Sequence, residues 1–292
     1  MVNDSMGKNF DDELKGNIDQ GTVESFGDEW ARMNQSLLSD VEKVAIFHDY
    51  FSMFPFDRLP VSASGFDMGC GSGRWATLVA PRVAQLNCID ASLEALQVAR
   101  KNLVDFTNVE FIHESVDLVS RPADGYDFGY SLGVLHHVPD TKAAIVSCAN
   151  LLKPGAPFLI YLYYSFDNKP GWYRFIWKTS ELFRAIVNKM PASLKAGTSD
   201  MIAALIYLPL ARISQGMHWL GFEVDSFPLS YYRDKSFYTM RTDARDRFGT
   251  PLEQRFSKTE IQQMLEFAGF ENIQFSEGRP YWVALAYKAS CE

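Results

Sequence analysis

The stretch Phe66-Asp67-Met68-Gly69-Cys70-Gly71-Ser72-Gly73 restricts the fold more than any other part of the chain. Ser64–Met68 reads as a short strand, three glycines follow within five residues, and Arg74–Ala80 begins a helix that Pro81 stops. Glycine accepts positive φ and lets a backbone approach a ligand closely. The helix start behind such a turn attracts negative charge. A strand that turns directly into a helix belongs to a parallel sheet, and the rest of the chain keeps that rhythm. Strands are predicted over 84–89, 109–113, 128–132 and 157–164. Helices are predicted over 92–106, with Ser92 as N-cap and Glu94 in the first turn, and over 142–152. A helix over 257–268, ended by Gly269, and two closing strands over 272–276 and 281–287 complete the pattern.

The glycine spacing narrows the choice of ligand. A dinucleotide fingerprint is GxGxxG, and its third glycine would fall on Arg74. Here it falls on Gly73, giving GxGxG, with the acid Asp67 ahead of it. Asp90, followed by Ala91, ends the second strand about 20 residues on, where a carboxylate can take both ribose hydroxyls. Its competing reading is a turn residue that begins the next helix. Glu114 follows strand three and can accept from an exocyclic amine, against a solvated loop carboxylate as the alternative. Ser131 ends strand four, ahead of Leu135-His136-His137-Val138, and Leu151-Leu152-Lys153-Pro154-Gly155 leads into strand five.

These stretches, DMGCGSG, IDAS, HES, VLHHV and LLKPGA, occur in an order that resembles class I S-adenosylmethionine-dependent methyltransferases. The resemblance covers roughly 64–164 and 257–287. It implies a seven-stranded Rossmann-like sheet with helices on both faces, its last strand antiparallel. It also implies S-adenosylmethionine as cofactor and S-adenosylhomocysteine as product. By position, Gly69, Gly71 and Gly73 would pass under the methionine part, and Asp67 would hold its amino end, directly or through water. Asp90, with Ala91, would take the ribose. Glu114 and Ser115 would meet the adenine, and the Ser131 backbone would lie near the sulfonium. Ser115 departs from the pattern, where a smaller alanine is common. TVESFGDEW, Thr22–Trp30, also looks like the N-terminal helix of methyltransferases of polysaccharide and natural-product pathways, with Trp30 as a lid or as plain packing.

The regions outside the resemblance have a different composition. Of 41 aromatic residues, seven lie in 60–156 and fifteen in the shorter stretch 165–250. That second stretch has twelve Lys/Arg against eight Asp/Glu, a balance of +4 in a chain of net charge -8, leaving -12 elsewhere. The chain is therefore read as a tail and helical arm over 1–59, an α/β core over 60–164 and 251–292, and a substrate-cap insertion over 165–250. A basic, aromatic cap suggests a small-molecule or glycan acceptor with negative charge or a ring. The alternative is a cap with solvated Lys and Arg faces. Tyr231-Tyr232-Arg233 and Arg241–Arg255 are its densest candidate contact stretches. The helix predicted over 172–188 is expected to turn Phe175, Leu182, Phe183, Ile186 and Val187 inward, and Arg174, Lys178, Glu181 and Arg184 outward.

The acidic chain (pI near 5.2) disfavours a nucleic-acid partner. Its most apolar run, Met201–Ile213, falls short of the about 20 residues a membrane span needs. That run suits a buried helix, a dimer face or contact with a lipid-linked acceptor. Cys70, Cys88, Cys148 and Cys291 have no metal-like spacing, so no metal is expected. With no signal peptide at the start, a cytoplasmic enzyme is expected.

A methyl transfer to oxygen, favoured here over nitrogen or carbon, gains from a base, and His136 and His137 stand at the sheet's carboxyl edge. His218 is a lesser candidate, and Tyr163 and Tyr164 close strand five. Two alternatives are a nucleotide-binding Rossmann oxidoreductase and a non-catalytic S-adenosylmethionine-binding regulatory protein.

Overall fold

The computed structural model describes residues 16–32 and 38–290. Residues 1–15 of the expected tail, 33–37 of the expected helical arm, and 291–292 with Cys291 lie outside the described residues. The arm supplies α1 (Gln20–Arg32) and α2 (Asp40–Phe51), and the core begins with β1 (Ser64–Met68). Then follow α3 (Ala76–Val79), β2 (Gln85–Asp90), α4 (Leu93–Asn102), β3 (Val109–His113), β4 (Phe128–Leu132), α5 (Thr141–Leu151) and β5 (Pro157–Tyr161). Four helices come next: α6 (Gly171–Val187), α7 (Ala192–Ile202), α8 (Leu208–Trp219) and α9 (Phe237–Gly249). The chain returns to the core with α10 (Lys258–Phe267), β6 (Phe270–Phe275) and β7 (Val283–Lys288).

The seven strands form one sheet in the order β3-β2-β1-β4-β5-β7-β6. β1 to β5 are parallel, and β7 runs antiparallel to both its neighbours. The expected Rossmann-like fold with a reversed last strand is the one observed. β1, weak in apolar residues, is held by close contact with β4. The ring of Phe128 fills the space over Gly65, and the ring of Phe66 fills that over Gly129. A Cβ at either glycine would lie 2.3 Å from ring carbon. The two rings face opposite sides of the sheet. Phe66 joins Tyr126, Ile145, Phe158 and Leu265 in one core layer. Phe128 joins Leu86, Leu96 and Leu159 in the other, together with Phe47 and Phe51 of the arm. The arm is thus part of the hydrophobic core.

β5 stops at Tyr161, earlier than expected, because residues 163–165 pair with Phe256 instead. The Phe256 N–H donates to Tyr163 O at 2.9 Å and the Ser165 N–H to Phe256 O at 2.9 Å. From Ala192 to Trp219 the chain stays helical, with a π-helical segment Ala203–Tyr207 just before Pro209. Proline cannot donate to the preceding turn, and the wider turn accommodates that. Ala203, Tyr207 and Ala211 pack with Met240, Ala244 and Phe248 of α9 in a separate small core.

One expectation is overturned. α6 is turned from the prediction: Phe175, at 72%, Leu182, Phe183 and Ile186 are exposed and Arg184 is buried, while Val187 is buried and Arg174 and Lys178 are exposed as expected. The cause is ionic. The Arg184 guanidinium donates to Thr250 O at 3.0 Å and lies 3.6 Å from the buried Glu253 carboxylate, so the inner face of α6 is polar. A period of 3.6 shows that a helix has two faces and does not show which one meets the body.

Candidate active site

A cavity opens at the carboxyl ends of β1, β2 and β4, where ligands bind parallel sheets. Its floor is the glycine turn. Gly71 has φ +54°, and a Cβ there would lie 3.0 Å from the Trp30 ring. Trp30 and Phe26 of α1 line the cavity from above, so the arm closes it. α1 can lie this low because it crosses the start of α4 at Gly27. A Cβ at Gly27 would sit 2.9 Å from Ser92 Oγ and 3.1 Å from Glu94 Oε2. Gly27→Leu is therefore expected to lift the arm. Calorimetric affinity for S-adenosylhomocysteine should fall about 10-fold or more, from an overpacking cost of about 1–3 kcal/mol, and Trp30 fluorescence should shift to that of a wetter indole.

Of the residues named from sequence, Gly69, Gly71, Asp90, Ala91, Glu114 and His137 line this cavity. Asp90 reaches it while bonded on both oxygens: Oδ2 accepts from the Gly71 N–H and Oδ1 from the Ser92 N–H, each at 2.8 Å. It serves as a turn residue, and each oxygen keeps a lone pair for a hydroxyl. Burial raises its carboxyl, and the Ser92 and Gly71 N–H groups oppose this. Asp67 is buried one residue behind the lining, which begins at Met68, and one of its oxygens has no hydrogen-bond partner among the described residues. Burial pushes it up to about 8, with the Tyr130 hydroxyl acting against the rise.

Four others lie behind the wall. Gly73 packs against Ala99 and Leu103 of α4. The Ser115 hydroxyl donates to Asp117, and the lining beside Glu114 comes from Val116 instead. The Ser131 hydroxyl donates to Met68 O at 2.9 Å, and the wall begins one residue later at Leu132 and Gly133. His136 is fully buried, its ring 3.9 Å from those of His137 and Tyr163, with neither nitrogen bonded among the described residues. Burial, then His137 and Arg255, hold it well below the usual histidine range, so it packs as a neutral ring.

His137 is held differently. Its Nδ1 lies 2.7 Å from Leu252 O, an acceptor, so Nδ1 carries the proton and the neutral ring keeps a lone pair on Nε2. Nε2 is 3.7 Å from Asp246 Oδ1 of α9. Asp246 also accepts from the Tyr163 hydroxyl, and from Thr250 Oγ1 at 3.2 Å. Burial raises the Asp246 carboxyl, and His137 draws it back.

Two further acids lie close by. Burial lifts Asp243 to about 6, against a hydrogen bond from the Tyr232 hydroxyl at 2.8 Å. Burial, then Asp246 and Asp243, lift Glu29 of α1 well above the carboxylate range. Sequence reasoning missed Asp246, Asp243 and Glu29. The two aspartates lie inside Arg241–Arg255, where they register only as charges offset by the arginines.

The four arginines of the candidate contact stretch Arg241–Arg255 are all held by acids. Arg241 and Arg245 both clasp Asp200, with closest approaches of 2.9 and 2.8 Å. Arg247 and Arg255 bind Glu253 at 3.0 and 2.7 Å. These four arginines are therefore committed to carboxylates, and an anionic acceptor would have to be met by other cations of the insertion. Tyr164 packs on Phe166 and Tyr281, away from His137, and His218 is exposed on α8. No group of three or more metal-ligating side chains occurs among the described residues.

Residues 66–160 match the family described as a methyltransferase domain. The chain is 37% identical over 103 residues to a ubiquinone biosynthesis O-methyltransferase of Xanthomonas axonopodis pv. citri, a match covering 35% of this chain and 43% of that protein. It is 30% identical over 165 residues to the protein of the same name from Pectobacterium carotovorum subsp. carotovorum, covering 56% of this chain and 61% of that one. The chain thus spans about half the length of the curated relatives it matches. Among solved structures, a chain from the complex of the Haloferax volcanii Trm112 methyltransferase activator with a methyltransferase has the same fold. The likeness covers 93% of this chain and 99% of that one, at 14% identity and a TM-score of 0.53. An oxidoreductase fits neither the glycine spacing nor the reversed β7. The family match runs from β1 to β5, so the α/β core of the chain carries a methyltransferase domain.

Proposed function

We propose that the chain methylates a hydroxyl oxygen of a small-molecule or glycan acceptor, with His137 taking the proton. The observation that carries this reading is the bond between His137 Nδ1 and Leu252 O on a residue that lines the cavity, which leaves Nε2 buried, without a hydrogen bond among the described residues and 3.7 Å from Asp246 Oδ1. The O-methyltransferase names of the relatives favour oxygen over nitrogen or carbon. Bound in the cavity, S-adenosylmethionine supplies an electrophilic methyl group and a neutral thioether leaving group. The glycine turn and Asp90 would hold its methionine and ribose parts, and Glu114 would face its adenine. Asp67, with one buried oxygen unpaired, suits an ammonium group. The arm excludes water from above, and the insertion carrying Asp246 would cap the acceptor. Asp246 would stabilise the imidazolium formed on proton uptake.

The test is titration with S-adenosylhomocysteine in two buffers of different ionisation enthalpy. A carboxyl raised to about 8 is protonated near neutral pH, and an incoming ammonium group favours its ionised form. Binding is therefore expected to release about one proton near pH 7, and the affinity to rise with pH until Asp67 ionises unaided. Asp67→Asn should bind more weakly and release none. Absence of S-adenosylhomocysteine binding, or binding of NAD in its place, would sink the reading.

A further inference from the structure

The outward face of α6 is a surface that the catalytic reading leaves unused. At about 100° per residue, Trp172, Phe175, Ile176, Leu182, Phe183 and Ile186 fall within an arc of about 120°. All six are at least half exposed, from 50% at Trp172 to 72% at Phe175. The helix does not need this face to stay attached. Its inner side is bonded through Arg184 to Thr250 O, and through Ser180, which accepts from Arg247 at 3.0 Å. Arg174, Lys178 and Lys189 lie along one edge of the apolar arc, exposed and without an ion pair among the described residues. Glu181, the acid within α6, is committed to Arg247 at 2.7 Å.

We propose that this face docks in the plane of an anionic lipid surface. An apolar stripe with a cationic edge is the pattern that seats a helix at the boundary between headgroups and acyl chains. The charge of the chain is segregated in the matching sense: the insertion carries +4 and the remainder -12, so a negative surface attracts this side and repels the rest. A second copy of the chain fits less well. A two-fold contact sets a patch against itself, and this patch offers cations without free acids to receive them. In the same insertion Trp219 and Leu220, each 77% exposed, add another apolar turn.

The full chain is expected to co-sediment with phosphatidylcholine vesicles containing phosphatidylglycerol. It should do so much less with phosphatidylcholine alone, or with the mixed vesicles when salt is raised from about 0.1 M to about 1 M. Phe175→Ser combined with Phe183→Ser should weaken binding about 10-fold or more. Arg174→Gln with Lys178→Gln should weaken it about 20-fold at low salt. Both variants should keep wild-type affinity for S-adenosylhomocysteine, which shows that they fold. Absence of vesicle binding, or binding that ignores both double variants, overturns the proposal. So does concentration-dependent self-association of the wild type that Phe175→Ser with Phe183→Ser abolishes, since that gives the face to a second copy.

Discussion

His137→Gln is expected to lower kcat by about 10²- to 10⁴-fold, the usual contribution of a positioned general base. Glutamine can still donate to Leu252 O and fill the site, but it cannot take up a proton near neutral pH. The loss should therefore appear in kcat and leave the affinity for S-adenosylhomocysteine close to wild type. Asp246→Asn keeps the shape of the site and one acceptor oxygen, and removes the charge that faces Nε2 at 3.7 Å. Its rate should fall between those of wild type and His137→Gln, and the double variant should be little worse than His137→Gln alone. His136→Phe is the control. That ring is buried, neutral and unbonded among the described residues, so its replacement should spare turnover. Full activity in His137→Gln would remove the base from the mechanism and leave alignment and water exclusion as the protein's whole contribution.

The contrast between these neighbours shows where sequence reading stops. VLHHV at the tip of strand four offers two adjacent histidines at the sheet's carboxyl edge, and nothing local distinguishes them. The distinction comes from Leu252, 115 residues away, whose carbonyl accepts from His137 and not from His136. The cofactor half of the site is legible because its determinants are local. A strand, three glycines and a strand-two carboxylate lie within the 27 residues 64–90, and backbone geometry fixes their relation. The proposed acceptor half draws on α1, the β4 tip and α9. Glu29 and Asp246 acquire their environment only when those elements meet. Even the clear helical period of α6 misleads, because it carries no information about the buried ion pair that decides which face turns in.

Glu253→Ala is expected to destabilise the protein by about 3–5 kcal/mol, the range for breaking a buried ionic cluster and stranding its partners. The Glu253 side chain is 2% exposed and holds Arg247 and Arg255, with Arg184 3.6 Å away. Glu181→Ala removes an acid from the same cluster at a side chain 34% exposed. It should cost about 1 kcal/mol or less, as exposed pairs do. Denaturant unfolding separates the two, and equal costs would show that the cluster does not hold the insertion down. Burial raises the Glu253 carboxyl, but Arg255, Arg247 and Arg184 together hold it below its ordinary 4.5. Its stabilisation is thus fully present above pH 4.5 and is lost as acidification passes its lower folded value. The effect reaches function through the segment around Glu253. Leu252 donates its N–H to Thr22 of the arm at 3.1 Å and accepts from His137. Gln254 donates to His136 O at 3.0 Å and to Val138 O at 2.7 Å. One stretch therefore ties the lid helix, the proposed base and the insertion together. A loosened Glu253 variant should lose kcat even under conditions where most of the protein remains folded, and part of that loss should return when Arg255→Met relieves the stranded charge.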